Sequence, residues 1–346
     1  QESFGSQTGP FIVVESSEAV RQGGMYRCSG AADDVELQEA IDLAEARGGG
    51  TVEITEGGFY TMAVVTLPAN VILRGRGAAS IIEKNFTDYA IKSIGSDGSE
   101  LANVKIRDMK ITRNAEDTGN WPLVFMRYVD ELLVENIIFE GGLAYGIEIN
   151  NCDNFVVKDS VFVNGQAGGI TLNGSSGIVS NCFFYGTVAR TANYTACTLV
   201  TSPNCRISEC QIHDLWSEAG NMVQGISLNQ SEESIVNGCD FYNLFAYGNG
   251  LVFGVNIGTS GHKASVIDST FKNILGYGDD LLDERDKGMA ILNNASDDCQ
   301  YIGNNVENCG YGIVIFTASA DRNIVTGNRC IDNGQLIDRG NCESTT

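Results

Sequence analysis

The chain has 346 residues, with 44 Asp plus Glu against 22 Lys plus Arg, a net charge of −22, and 41 Gly, 4 Pro and 11 Cys. That charge opposes polyanions, so nucleic acid and anionic membrane surfaces are poor partners unless cations bridge them. A 43% hydrophobic content excludes a disordered acidic tail, and no apolar run approaches the ~18 residues of a membrane helix, so no membrane insertion is expected.

The chain begins at Gln1 with no initiator Met, so a signal peptide is expected to have been removed before it. Eleven cysteines favour an oxidising compartment, and the expected location is extracellular or cell surface. N-x-S/T sequons at Asn85, Asn173, Asn193, Asn229 and Asn294 permit glycosylation there. The first clear element is an amphipathic helix over 33–46. Asp33 or Asp34 caps it, acids fill its first turn, and Gly48, Gly49 and Gly50 end it. Val35, Leu37, Ala40, Ile41 and Ala44 form its apolar face. Strand-like TVEI (51–54), VVTL (64–67) and NVILRG (70–75) follow. A helix placed here covers the open first coil of a repeat array and blocks edge pairing.

From about residue 103 onward a unit repeats. Its first half is an alternating strand ending near Asn or Gly: NIIFEGG (136–142), DSVFVNG (159–165), NCFFYG (181–186), GCDFYN (238–243) and DSTFKN (268–273). Aligned on Phe139, Phe162, Phe184, Ile212, Phe241, Phe271, Val306 and Ile331, the steps are 23, 22, 28, 29, 30, 35 and 25 residues. A second strand follows in each unit, as in GIEI (146–149), GITL (169–172), GISL (225–228), GVNI (254–257) and GIVI (312–315). Two short strands and a looser segment in about 22 residues make one coil of a parallel β-solenoid, with equivalent side chains stacked about 4.8 Å apart. No helical pattern of 10–15 residues alternates with the strands, which argues against a globular αβ fold.

Cys182, Cys210 and Cys239 fall two residues before the Phe/Ile position of successive coils, with Ser160 and Ser269 on either side, and Cys197 aligns with the inward Ile of the second strand. They read as buried thiols filling a narrow core. Cys299, Cys309, Cys330 and Cys342 crowd the last 48 residues, where one or two disulfides are expected to staple the end, their pairing open.

The run AADDVELQEAIDLAEARGGGTVEITEGGFYTMAVVTLPANVILRGRG (31–77) resembles the entry segment of right-handed parallel β-helix proteins of the pectate-lyase-like superfamily, which includes polygalacturonase-like enzymes and phage tailspikes. The resemblance implies an all-β fold: a right-handed parallel β-helix of about ten coils, roughly 45–50 Å long, with an N-terminal capping α-helix. The segment 1–50 would hold the entry and helix, 51–340 the solenoid and 341–346 a tail. The superfamily spans lyases, hydrolases, epimerases, tailspikes, adhesins and inert surface proteins, and a fold alone does not select among them.

Between 185 and 288 the coils lengthen, and the extra residues fall at one corner: YGTVARTANYTA (185–196), HDLWSEAGNMVQ (213–224), YNLFAYGNGLVF (242–253) and KNILGYGDDLLDERDKG (272–288). They are expected to stack as a lateral loop wall. Tyr194, Trp216, Tyr242, Tyr247 and Tyr277 are its candidate glycan-stacking residues. Asp279, Asp280, Asp283, Glu284 and Asp286 offer hard oxygen ligands for Ca²⁺, although they do not have EF-hand spacing and also suit a solvated turn. A glycosidase needs two carboxyls about 5–9.5 Å apart, for which Asp214, Glu218, Asp279 and Asp280 are the candidates. The polygalacturonase Gly-His-Gly and Arg-x-Lys elements and the epimerase Asp-Pro-His motif are absent. With only His213 and His262 in the chain, a histidine-based metal site is disfavoured.

Two functions follow as expectations. One is an extracellular scaffold, a surface, appendage or virion-fibre component that binds polysaccharide or surface glycan on the loop wall and self-associates into oligomers or filaments. The alternative is a polysaccharide hydrolase or lyase with its site in the 185–288 loops.

Overall fold

The computed structural model describes residues 9–20, 23–114, 117–186, 193–218, 220–248, 250–277, 288–316, 321–331 and 333. Among the described residues parallel strands wind into ten complete coils, with further rungs at the ends of the larger sheet. One face is a ten-stranded sheet from Val65–Thr66 to Tyr311–Ile315, including Tyr145–Asn150, Gly168–Asn173, Tyr194–Val200, Val223–Asn229 and Val252–Ile257. The Phe-bearing strands and the third segment of each coil join in a second, 22-stranded sheet that turns the corner between two further faces. No helix among the described residues is long and apolar enough to cross a membrane.

Period-2 alternation sets the register. Phe139, Phe162 and Phe184 pair in successive strands with ring centroids 4.7 Å apart, as do Phe241 and Phe271. Each buried Phe contributes roughly 1.5–3 kcal/mol from area alone. The glycine entering the second strand completes this packing, since a Cβ on Gly146 would lie 2.7 Å from Phe162, and Gly169, Gly225 and Gly254 meet Phe184, Phe241 and Phe271 in the same way. In the last aligned coil Val306 pairs with Cys330, so Cys330 and not Ile331 holds the inward position. Ile331 pairs with Glu307, one residue out of phase, which turns it to the other side of the strand.

The corners carry hydrogen-bond ladders. The Cys182, Cys210 and Cys239 thiols donate to the carbonyls of Val157, Val179 and Ile207 in the preceding coil, at 3.8, 4.0 and 3.8 Å. Ser160, Ser269 and Asn304 continue the ladder by accepting from the backbone N–H groups of Ile137, Cys239 and Ser269. Cys197 pairs in register between Ile170 and Ile226. Cys299 and Cys309 are also buried thiols, each donating to the previous coil, to Gly261 and Phe271. The expected staple therefore does not involve these two, because their side chains fill ladder positions inside the solenoid. Cys330 sits half-buried on the last described strand, and Cys342 lies outside the described residues.

The helix runs Asp34–Ala46 and buries Leu37, Ala40, Ile41 and Ala44 against the first coil. Two details differ from expectation. Val35 is 53% exposed, since at about 100° per residue it falls on the side of the helix opposite the stripe of Leu37, Ala40, Ile41 and Ala44. Asp33 precedes the helix but makes no side-chain cap. Its carboxylate instead accepts from the N–H groups of Gly30 and Tyr60, tying the helix start to the neighbouring strand. Gly48, at φ +86°, supplies the left-handed residue that ends the helix. Farther along, Lys84 and Asp117 form a buried ion pair at 3.0 Å.

Candidate carbohydrate-binding flank

Among the described residues, part of each of three long coils' extra length lies in ordered sheet. Strands Val161–Val163 and Phe183–Tyr185 have three residues, whereas Gln211–Ser217, Asp240–Ala246 and Thr270–Gly276 have seven. Asp214, Asn243 and Asn273, at φ 53°, 58° and 57°, bend each chain without ending it. Asn and Asp tolerate this left-handed conformation better than other side chains. Beyond the bend Leu215, Leu244 and Ile274 pair in register and are buried. The expected loop wall thus begins as an extra strip of parallel sheet.

The residue after each core Phe or Ile faces outward, giving the column Val163, Tyr185, His213, Tyr242, Lys272 and Glu307. Its three rings stack nearly parallel: Tyr185 to His213 at 5.3 Å and 7°, His213 to Tyr242 at 4.6 Å and 3°. Next along, the Lys272 ammonium lies 3.0 Å from Glu307 Oε1. Beside the column runs an amide ladder. Asn308 donates to Asn273 at 2.7 Å, Asn273 to Asn243 at 2.8 Å, and Asn243 to Asp214 at 2.9 Å. The other Asp214 oxygen lies 2.9 Å from His213 Nδ1. Partial burial would raise the Asp214 pKa, but its contacts with Asn243 and His213 outweigh that and hold it low. Asp214 is therefore a standing carboxylate that orients the imidazole, which does not suit it to the general-acid half of a glycosidase pair. A groove of about 410 Å³ opens on this face, lined by Asp240, Phe241, Tyr242, Asn243, Thr270, Lys272 and Asn273.

The other candidates separate. Tyr194 is 1% exposed and belongs to the core, so it offers no face to a ligand. Trp216, Tyr247 and Tyr277 cluster past the bend, with Tyr247 edge-on to Trp216 at 6.4 Å and stacked on Tyr277 at 5.4 Å. Tyr242 lies apart from them, in the column. Glu218 is exposed, just beyond the end of Gln211–Ser217 and on the same coil as Asp214. Asp279, Asp280, Asp283, Glu284 and Asp286, the candidate calcium ligands and two of the candidate catalytic acids, lie outside the described residues. Tyr185 and His213 were not singled out from sequence, although the position after the aligned Phe marks both.

Among the described residues one group has metal-ligand proximity: Cys28, Asp33 and Glu36, with donor atoms within 4.8 Å of one another. Burial first, then the charges of Asp33 and Glu36, push the Cys28 thiol up, so it stays protonated, and Asp33 already accepts two backbone N–H bonds. We read this group as part of the helix junction.

The architecture defines a parallel β-helix with a polar and aromatic flank. A family model described as "Right handed beta helix region" matches residues 68–198 and 122–295, more than half of the chain. The chain belongs to this right-handed β-helix family. No curated protein matches it in sequence. Among solved structures it is similar to PfbA, a surface adhesin of Streptococcus pneumoniae, with 16% identity and a TM-score of 0.58 over 88% of this chain and 91% of that one. It is similar to a tailspike of E. coli bacteriophage HK620, with 16% identity and a TM-score of 0.55 over 87% and 62%. It is also similar to the enzymatically active domain of tailspike protein 2 of bacteriophage CBA120, with 14% identity and a TM-score of 0.59 over 79% and 40%. At these identities the shared property is the fold.

Proposed function

We propose that this protein is an extracellular or surface β-helix that binds carbohydrate along the flank formed by Phe183–Tyr185, Gln211–Ser217, Asp240–Ala246 and Thr270–Gly276. One observation carries the reading: the stacked Tyr185–His213–Tyr242 column ends beside a groove walled by Tyr242, Lys272 and two ladder asparagines. Because the rings cover one another, they present mainly polar edges outward, an arrangement suited to sugar hydroxyls more than to an apolar ligand. The adhesin and the tailspike in complex with a hexasaccharide lend the reading support by analogy of fold. It extends to a surface, appendage or virion-fibre component that self-associates, which light scattering across a concentration series tests. A glycan array tests binding itself. Specific retention is expected, with a loss of about tenfold or more in Tyr242→Ala, and an array with no glycan retained refutes the proposal.

A second reading, that the flank degrades the polysaccharide it binds, is favoured by the His213–Asp214 contact. A carboxylate holding Nδ1 leaves Nε2 as the basic atom of the imidazole. Release of reducing ends or unsaturated products from a bound glycan, abolished in His213→Ala, is the expected result. Intact glycan after prolonged incubation rejects this reading.

A further inference from the structure

Resting on the glycan-binding reading above, we infer that the groove between Asp240–Ala246 and Thr270–Gly276 selects neutral, hydroxyl-rich glycans and rejects polyuronates. The charges on this face decide it. Lys272 is the one cation among the described groove-lining residues, and Glu307 on the next rung already holds it at 3.0 Å. Asp240 lines the same groove, exposed to solvent, and Asp214 lies one coil away at the foot of the amide ladder. A bound uronate would meet Asp240 in the groove, with Asp214 and Glu307 on the flanking rungs, and would have to pull Lys272 away from Glu307. The surplus is local to the site and agrees in sign with the net charge of −22. Polyuronate recognition needs an uncommitted cation, best a bidentate Arg, and the described groove lining contains none.

The neutral polar groups are arranged differently. Asn243 and Asn273 each spend one N–H and one carbonyl lone pair on the ladder. A primary amide has two N–H groups and two lone pairs, so each retains one donor and one acceptor. Thr270 adds a hydroxyl, and the Tyr242 ring forms an apolar wall. Paired donors and acceptors repeating with the coils match a chain of sugar hydroxyls, each of which donates and accepts.

The test is affinity electrophoresis in EDTA through gels containing neutral polysaccharides (galactomannan, mixed-linkage β-glucan, dextran) or anionic ones (polygalacturonate, alginate). At about 150 mM salt, where long-range repulsion is screened within roughly 8 Å, the wild type should be retarded by at least one neutral glycan and by neither anionic one. Tyr242→Ala and Lys272→Ala should each weaken that retardation, Tyr242→Ala by about tenfold. Glu307→Gln, which frees Lys272, should gain retardation by polygalacturonate. Tyr242-dependent retention of a polyuronate by the wild type overturns the inference and leaves the glycan-binding reading standing. So does neutral binding indifferent to Tyr242 and Lys272, or a Glu307→Gln variant with no gain. Failure to bind any glycan overturns the underlying reading itself. Unchanged far-ultraviolet circular dichroism shows that each variant is folded.

Discussion

Substituting Gly146 by Ala tests the packing rule that joins the coils. A Cβ there would lie 2.7 and 2.9 Å from Cδ1 and Cε1 of Phe162, with the Gly169 carbonyl oxygen at 3.1 Å. Carbon atoms prefer about 3.5–4.0 Å, so something must yield. The ring cannot move along the axis, because Phe139 and Phe184 stack on its two faces at 4.7 Å. Overpacking of this kind costs about 1–3 kcal/mol. Gly146 does not have positive φ, so the backbone accepts Ala, and the stiffer unfolded chain returns about 0.4–1 kcal/mol. The net expectation is a loss of roughly 1–2 kcal/mol. Phe162→Leu alone should also destabilise, through two lost ring contacts worth about 0.5–1.5 kcal/mol each. The double variant should be better than the sum by about 1 kcal/mol or more, because the methyl then occupies space the ring has left. Guanidinium unfolding of the four proteins, compared at equal m-values, measures this. A neutral Gly146→Ala, or additivity within about 0.5 kcal/mol, would refute the argument that Phe and the preceding coil's Gly form one packing unit.

Asp117→Ala should cost about 3–5 kcal/mol by leaving Lys84 buried and uncompensated, and adding Lys84→Met should recover most of it; no recovery in thermal melts counts against the pair. Burial would raise the Glu53 pKa, but hydrogen bonds from Arg74 and Arg76 outweigh it and hold it low. Its contribution is therefore present above the unfolded carboxylate value and is lost as pH falls through the lower folded value, so Glu53→Gln should flatten acid unfolding, and an unchanged acid limb contradicts the assignment. Burial pushes the thiols of Cys152, Cys205 and Cys309 up to about 12, so iodoacetamide at about pH 8.5, near the free-thiol value, should leave these three unmodified until denaturant is added; a native adduct on any of them, by peptide mass spectrometry, refutes it. Salt should raise the melting temperature, because screening a net charge of −22 relieves more repulsion than it costs in exposed, already solvent-screened rung pairs such as Lys263–Glu233 and Arg322–Asp298. A fall in melting temperature with salt would reverse that balance.

The solenoid was legible because an in-register parallel stack repeats its inward residues at fixed phase. Phe139 through Phe271 mark the core, and Cys182, Cys210 and Cys239 mark a buried thiol ladder within it. The flank was harder to read for two physical reasons. Asn243 and Asn273 look like strand exits, yet in the left-handed region they only bend the strand, so the residues after them read as loop. Strict alternation also fails where a strand rounds a corner. In Tyr194–Val200 both Ala196 and Cys197 are buried, so parity inverts and Tyr194 joins the interior although alternation from Cys197 points it outward. The terminal mismatch of Ile331 with Cys330 has a simpler origin: near the end of the array, two adjacent apolar residues offered two phases, and the sequence pattern had no later coil to choose between them.

The same stacking that makes the core legible constrains the outer surface. Each outward side chain has a neighbour one coil away, so identical charges in a column repel, and columns settle into amides, stacked rings or alternating signs. Asn308 to Asp214, Tyr185 to Tyr242, and Lys272 with Glu307 are these three solutions side by side. With twice as many acids as bases in the chain, cations are drawn into rung pairs, and a groove on such a surface has little free positive charge to give a ligand. Its recognition chemistry must then come from amides, hydroxyls and ring edges. This charge balance is the basis for the proposal that the flank takes a neutral sugar chain, and a free Lys272 is the change proposed to alter it.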